Sequence, residues 1–192
     1  FTEYTADHFV NALGSNANTF ARKVGFYKGL YPVKHQAYIT KKLPFMGING
    51  NPLDMLIDRQ NHRGFVAVYG QQLAETGQII LCASPAFDPQ ETNKSIKYNS
   101  KEFFEIIGEV FVNWLPLLQE VGIQASWAGY YTEPRMIIDP DYGLFIGLKG
   151  HGFMLSQYLA KMYVDKYLNK KVPDYFSRLS VNGDGLLEEA FK

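Results

Sequence analysis

Residues Gly143 to Leu168, GLFIGLKGHGFMLSQYLAKMYVDKYL, decide how the chain is read. The run opens on Leu144-Phe145-Ile146-Gly147-Leu148, short and apolar, which reads as a buried strand. Gly150-His151-Gly152 follows, and then a helical pattern: Leu155, Leu159, Met162 and Tyr163 share one side, with Lys161 and Asp165 on the other. A strand that passes through paired glycines into a helix is a physical device. The glycines admit close approach of a ligand to the backbone, and the N–H groups at the helix start favour an anion or an electron-rich ring edge. The same glycines can also serve only to break the strand, and a lone G-x-G does not separate the two readings.

Composition narrows the choice. The 192 residues suit one large domain or a domain with an appended piece, and 46% are apolar, enough for a sizeable core. Lys and Arg number 19, matched by 19 Asp and Glu, so no excess positive field is available to neutralise phosphates, which argues against a nucleic-acid partner. No apolar run reaches the length of a membrane span. The single cysteine, Cys82, lies in an apolar run and reads as a buried inert thiol, which fits a cytoplasmic location. The four histidines have no metal-ligand spacing, and no nucleophile elbow is present.

Outward from the deciding stretch, Asp7 to Gly14 reads as a short strand ending at a glycine, then a helix capped by Ser15 or Asn16 runs to about Lys23, with Gly25 to end it. A lone strand needs neighbours, so the chain reads as beginning in the middle of something. Leu30 to Thr40 reads as a strand in which His35 and Gln36 point to opposite faces. Lys42 to Pro52 reads as a loop. Met55–Asp58, Phe65–Gly70 and Ile79–Ala83 form an antiparallel meander with turns at Asn61–Gly64 and Glu75–Gln78, and a loop follows through Asn99. Asn99, with Glu102 three places on, caps a helix lined by Phe103, Ile107, Val110, Phe111, Trp114 and Leu118, and Pro116 ends or kinks it near Leu115. Ile123 to Tyr131 is a further strand. Thr132 to Tyr142 is a turn-rich connection, and Phe176, Leu179, Leu186 and Leu187 read as surface anchors of a C-terminal tail. The fold class is α+β: a mixed, mainly antiparallel sheet with helices on one face, and a strand-helix pair at each end.

Four motifs occur in a telling order: Val10-Asn11-Ala12-Leu13-Gly14, Pro32-Val33-Lys34-His35-Gln36, Trp127-Ala128-Gly129 and Gly150-His151-Gly152-Phe153-Met154. Together they resemble the D-amino-acid-oxidase-like flavin oxidoreductases, a superfamily that includes glycine oxidase, sarcosine oxidase, dimethylglycine dehydrogenase and dye-linked proline dehydrogenase. The tail Arg178-Leu179-Ser180-Val181-Asn182-Gly183 looks like the closing segment of the sarcosine-oxidase and proline-dehydrogenase branch.

The resemblance implies a C-terminal half, divided as 1–29, the end of an FAD-binding Rossmann-type domain; 30–131, a substrate domain; and 132–192, the return strand-helix and tail. It implies FAD in the complete protein, with Gly14, Gly150, His151, Gly152, Phe153 and Met154 at the flavin. Substrate contacts fall to His35, Gln36, Tyr69, Tyr130, Tyr131 and Arg135. The implied activity is oxidation of the C–N bond of a small amine or amino acid, of secondary, N-methyl or proline-like type, with hydride passing to the flavin. The family's fingerprint, a strand followed by G-x-G-x-x-G, is absent, and the glycines at 147, 150 and 152 cannot replace it. This predicts weak or no FAD binding and no activity by the chain alone, and a need for an N-terminal FAD-binding half or a partner subunit. Where related amino-acid oxidases carry an arginine that grips the substrate carboxylate, this chain has Tyr130 and Tyr131, with Arg135, Arg59 and Arg63 as substitutes. The rival reading is a non-catalytic binding or assembly module whose glycine turn is structural.

Overall fold

A computed structural model of the chain describes residues 2–23, 29–44, 46, 51–60, 62–85 and 101–185. These form α1 (Ala17–Lys23), β1 (Tyr31–Thr40), β2 (Leu56–Asp58), β3 (Phe65–Gln72), β4 (Ile79–Pro85), α2 (Lys101–Trp114), β5 (Ile123–Glu133), β6 (Ile137–Asp139), β7 (Leu144–Ile146) and α3 (Gly152–Tyr167), joined in places by 3-10 turns. The α+β class expected from the sequence is what the fold has. The described residues divide into two compact units. One holds those up to Val33 and from Tyr131 onward; the other holds Lys34 to Tyr130.

The second unit is a five-stranded sheet in the order β2-β3-β4-β1-β5, with α2 on one face. The antiparallel meander appears as read: β3 pairs with β2 and β4, and β4 pairs with β1 in the register Gln36 to Ala83 and Ala37 to Cys82. Strand alternation puts Tyr38, Val68, Leu81 and Ala83 on the face that α2 covers with Phe103, Ile107, Val110 and Phe111. Phe111 rests on Gly70, where a Cβ would stand 2.5 Å from its ring. Leu115 N–H still bonds to Phe111 O, but Pro116 has no N–H to continue the ladder, so the helix gives way to the 3-10 turn Pro116–Glu120. Asn99, Gly25, Leu186 and Leu187 lie outside the described residues.

The first unit is built around the two-stranded ribbon β6–β7. Here the sequence reading is corrected. The stretch Thr132 to Tyr142 contains a strand, because Ile137 and Ile138 are needed on opposite sides of a thin layer. Ile138 packs with Met136, Leu159, Met162, Tyr163, Phe176 and Leu179; Ile137 packs with Ala17, Leu30, Leu144, Ile146 and Val181. The ribbon is thus sandwiched between α3 on one side and α1 on the other. Phe176 and Leu179, expected at the surface, are 3% and 0% exposed because they close the α3 side of this core.

Asp7 to Gly14 is also corrected. It is no regular strand but touches β7 through one parallel bridge, Asn11 to Leu144. Asn11 N–H donates to Gly143 O (2.8 Å) and Phe145 N–H donates to Asn11 O (3.0 Å), while the buried Asn11 side chain accepts from Leu13 N–H and donates to Ala17 O. Asp139, 5% exposed, accepts from the N–H groups of Asp141 (3.1 Å) and Val181 (2.9 Å), tying the tail to β6. Among the described residues no helix is long and apolar enough to cross a membrane, and none of their His, Cys, Asp and Glu side chains cluster as a metal site.

Truncating Phe111 to alanine empties the space over Gly70. We expect a loss of about 3–5 kcal/mol in urea-induced unfolding, with little change in slope.

Candidate functional site

The turn between β7 and α3 is held by the strand that runs beside it. The β6–β7 register pairs Ile137 with Ile146 and Asp139 with Leu144. Beyond the end of that ladder, three further contacts join the segment before β6 to the turn. At Gly147, φ is +75° and a Cβ would lie 2.1 Å from the Arg135 carbonyl oxygen, so only glycine fits. At Lys149, the ammonium lies 2.8 Å from the Glu133 carboxylate. At Gly150, a Cβ would stand 3.0–3.2 Å from the ring and hydroxyl of Tyr131. Residues 135, 133 and 131 therefore meet 147, 149 and 150 in turn.

Lys149 is unusual in two respects. Its φ is +51°, a left-handed conformation that costs a non-glycine residue energy, and its side chain is only 9% exposed. The 3-10 turn Lys149–His151 follows, with His151 N–H donating to Leu148 O, and α3 begins at Gly152, whose Cβ position faces Leu148 at 3.2 Å. Gly150 is exposed, so its backbone is open on the side away from Tyr131, and His151 is half-buried. Phe153 is 99% exposed and Met154 66%. Such bare apolar side chains in the first turn of a helix leave roughly 1.5–3 kcal/mol each of possible burial unused.

Of the residues singled out in the sequence, the structure gathers Tyr131, Gly150, His151, Gly152, Phe153 and Met154 in this turn. Gly14 starts a 3-10 turn with φ +53° and has open space beside it. The Arg135 guanidinium donates to the carbonyl oxygens of Val181 (2.8 Å), Gly183 and, more weakly, Ser180 (3.5 Å). Its donors strap the tail. Arg63 forms an exposed ion pair with Glu109. Glu133 and Lys149 escaped the sequence reading, because their contact lies beyond the β6–β7 ladder and no local pattern marks it.

In the second unit, His35 and Tyr69 share the sheet face that α2 does not cover. Tyr69 pairs with Cys82, Cys82 pairs with Ala37, and His35 lies two residues from Ala37 on the same strand. Gln36, 2% exposed, points to the opposite face, as its alternation with His35 requires. Burial pushes the His35 imidazole down to about 4 and the Cys82 thiol up to about 11. His35 is therefore neutral near pH 7, a hydrogen-bonding group and not a cation. Loss of water contact also pushes the Tyr130 phenol up. Elsewhere, a cavity of about 440 Å³ lies among β6, the C-terminal turn of α3 and the 3-10 turn Asp174–Leu179, but its Asp139 is already committed to backbone.

Two measurements follow from these positions. Gly147→Ala places a methyl against the Arg135 carbonyl in a left-handed backbone, and we expect roughly 2–4 kcal/mol of destabilisation by thermal melting. For His35, the unfolded imidazole takes a proton near its ordinary 6.5 and the folded one only near 4. Stability therefore falls as pH drops from 6.5 towards 4, by roughly 3 kcal/mol at most, and is flat below. His35→Gln removes that part of the slope in urea titrations at successive pH values.

The family profile described as DAO, FAD dependent oxidoreductase, matches residues 2–166. No curated protein matches the sequence. Among solved structures, L-proline dehydrogenase from P. horikoshii superimposes with a TM-score of 0.71 at 24% identity, covering 91% of this chain and 46% of its own. Glycine oxidase from Geobacillus kaustophilus gives 0.69 at 18%, covering 93% and 46%. Fructosamine oxidase from Aspergillus fumigatus gives 0.68 at 15%, covering 94% and 46%. These likenesses are of fold, and the chain spans less than half the length of each of these proteins. The profile covers most of the chain, from its N-terminal segment almost to the end of α3, and on that match the chain belongs to the FAD dependent oxidoreductase family.

Proposed function

We propose that the chain forms the C-terminal half of an FAD-dependent oxidoreductase acting on the C–N bond of a small amine or amino acid, of secondary, N-methyl or proline-like type. The observation that carries this reading is the open turn Gly150–Met154 within a chain matched by the family profile. Its fit to a flavin rests on the exposed Gly150 backbone and on the bare Phe153 and Met154 beside it. These five residues, with Gly14, would hold the ring end of the cofactor. When bound, FAD supplies the acceptor for the two electrons of the oxidation. The described residues contain no strand followed by G-x-G-x-x-G for the pyrophosphate. That part belongs to an N-terminal half, in the same polypeptide or on a partner subunit, and the chain alone binds FAD weakly or not at all.

The substrate contacts are assigned to His35, Tyr69, Tyr130 and Tyr131. Arg135 was a candidate for the substrate carboxylate, but its guanidinium is on the tail carbonyls. Hydroxyl donors and a neutral imidazole can orient a substrate, yet they supply less electrostatic grip than a guanidinium fork. A substrate carboxylate, on a primary or a secondary amine alike, is therefore held less firmly by these residues than by an arginine. The lone cysteine suits a reducing compartment, the cytoplasm.

The test is the full-length protein, purified with added FAD and then without. We expect a yellow protein whose visible absorbance bleaches anaerobically with proline or an N-methyl amino acid, while this chain alone stays colourless. A full-length protein that takes up no flavin on reconstitution overturns the reading in favour of a non-catalytic binding module.

A further inference from the structure

Glu133 and Lys149 stand apart from the residues proposed above for flavin and substrate, yet they lie between two close contacts. Tyr131 lies against Gly150 and the Arg135 carbonyl lies against Gly147. The peptide between those two contacts must climb from β7 into α3, and it does so through Lys149 at φ +51°. Lysine does not choose this conformation. The left-handed region brings Cβ close to backbone oxygen, and three described residues other than glycine adopt it: Arg63, Lys149 and Asn169. Arg63 and Asn169 lie in exposed turns, where the chain is free to relax. Lys149 does not. Its ammonium is drawn inward onto Glu133 at 2.8 Å, with 9% of the lysine side chain and 23% of the glutamate side chain exposed. An ion pair so shielded from water resists loss of either partner, because the charge left behind has no solvent to turn to. The pair therefore offsets the strain at the one residue that sets the direction of the Gly150–Gly152 backbone.

We propose that the Glu133–Lys149 ion pair is a latch that keeps the turn into α3 left-handed, so that Glu133 is a positioning residue for the open backbone of Gly150 and Gly152. The second half of this inference rests on the assignment of that turn to the flavin. Glu133 reaches the turn through Lys149, and the atoms nearest the Gly150 Cβ position belong to Tyr131. Tyr131 and the Arg135 carbonyl hold the two ends, and the latch holds the middle.

The test uses the full-length protein and three variants: Glu133→Gln, which removes the charge at nearly constant shape; Lys149→Arg, which keeps the cation; and the reversed pair Glu133→Lys with Lys149→Glu. Two readouts are taken. In flavin-free protein with ¹⁵N-glycine labelling, the amide resonances of Gly150 and Gly152 shift in Glu133→Gln while that of Gly108, in α2, stays in place. With FAD, Glu133→Gln binds on the order of tenfold more weakly and the midpoint potential of the bound flavin moves, as a misaimed backbone predicts, while Lys149→Arg keeps the wild-type values. Recovery in the reversed pair supports the ion pair itself. Unmoved glycine resonances in Glu133→Gln overturn the latch. Moved resonances with unchanged affinity and potential overturn the positioning role. Should the wild-type protein take up no FAD, the flavin assignment fails and the positioning role with it, while the glycine resonances still judge the latch.

Discussion

β6 (Ile137–Asp139) and β7 (Leu144–Ile146) pair antiparallel, and the first unit depends on that one pairing. At its closed end, Asp139 and Leu144 are joined by a 3-10 turn that ends on Gly143 in the left-handed region, where the Phe9 carbonyl leaves no room for a Cβ. At its open end, Gly147 stands against the Arg135 carbonyl. Between them the ribbon is only three residues wide, so it cannot be stable as an isolated pair. It persists because each side is covered, by α3 with Leu159, Met162 and Tyr163 and by α1 with Ala17. The Asn11 bridge and the Asp139 contact to Val181 N–H then fasten the two ends of the described chain to the same ribbon.

The second unit solves a different problem. One face of its sheet is filled by large aromatic residues of α2, with Phe103 and Phe111 almost wholly buried. The other face mixes polar and apolar groups: His35, Tyr69, Cys82 and Ser84 stand beside Ala37, Ile39, Ala67 and Ile80. Burial keeps His35 uncharged, which avoids the large cost of an ion in that setting, and it keeps the Cys82 thiol protonated and inert.

Strong local patterns were legible in the sequence. α3 and α2 announce themselves by apolar spacing, Pro116 marks the end of α2, and the meander from Leu56 to Pro85 is written in alternation and turns. The elements that failed to show are those whose structure comes from elsewhere in the chain. β6 is three residues flanked by Pro134 and by Pro140, so its local signal is that of a turn, and only the long-range demand for a residue on each side of the ribbon makes it a strand. Asn11 keeps a single bridge, and its side chain turns forward onto Leu13 N–H and Ala17 O. The site shows the same division. The glycines at 150 and 152 could be read from the chain, because glycine before a helix is locally informative. The Glu133–Lys149 pair could not, because the fifteen residues between them carry no mark of the contact that joins them.

The electrostatics of the α3 entrance bear on the choice that the sequence left open between an anion and a ring. Anion sites at helix starts combine backbone N–H groups with cationic or hydroxyl side chains that share the charge. Here the nearest ammonium, Lys149, is spent on Glu133, so the pair adds no net charge. The next outward side chains are Phe153 and Met154, apolar and bare. A phosphate pressed against them would lose water without gaining a partner for its charge, a penalty that the half-charge of a helix start does not cover. A planar group with an apolar body and hydrogen-bond acceptors along one edge would suit both features of the surface, the exposed Gly150 backbone and the bare phenylalanine and methionine. The isoalloxazine ring has that form and a pyrophosphate does not, and the flavin proposed for this turn is accordingly proposed to meet it by its ring.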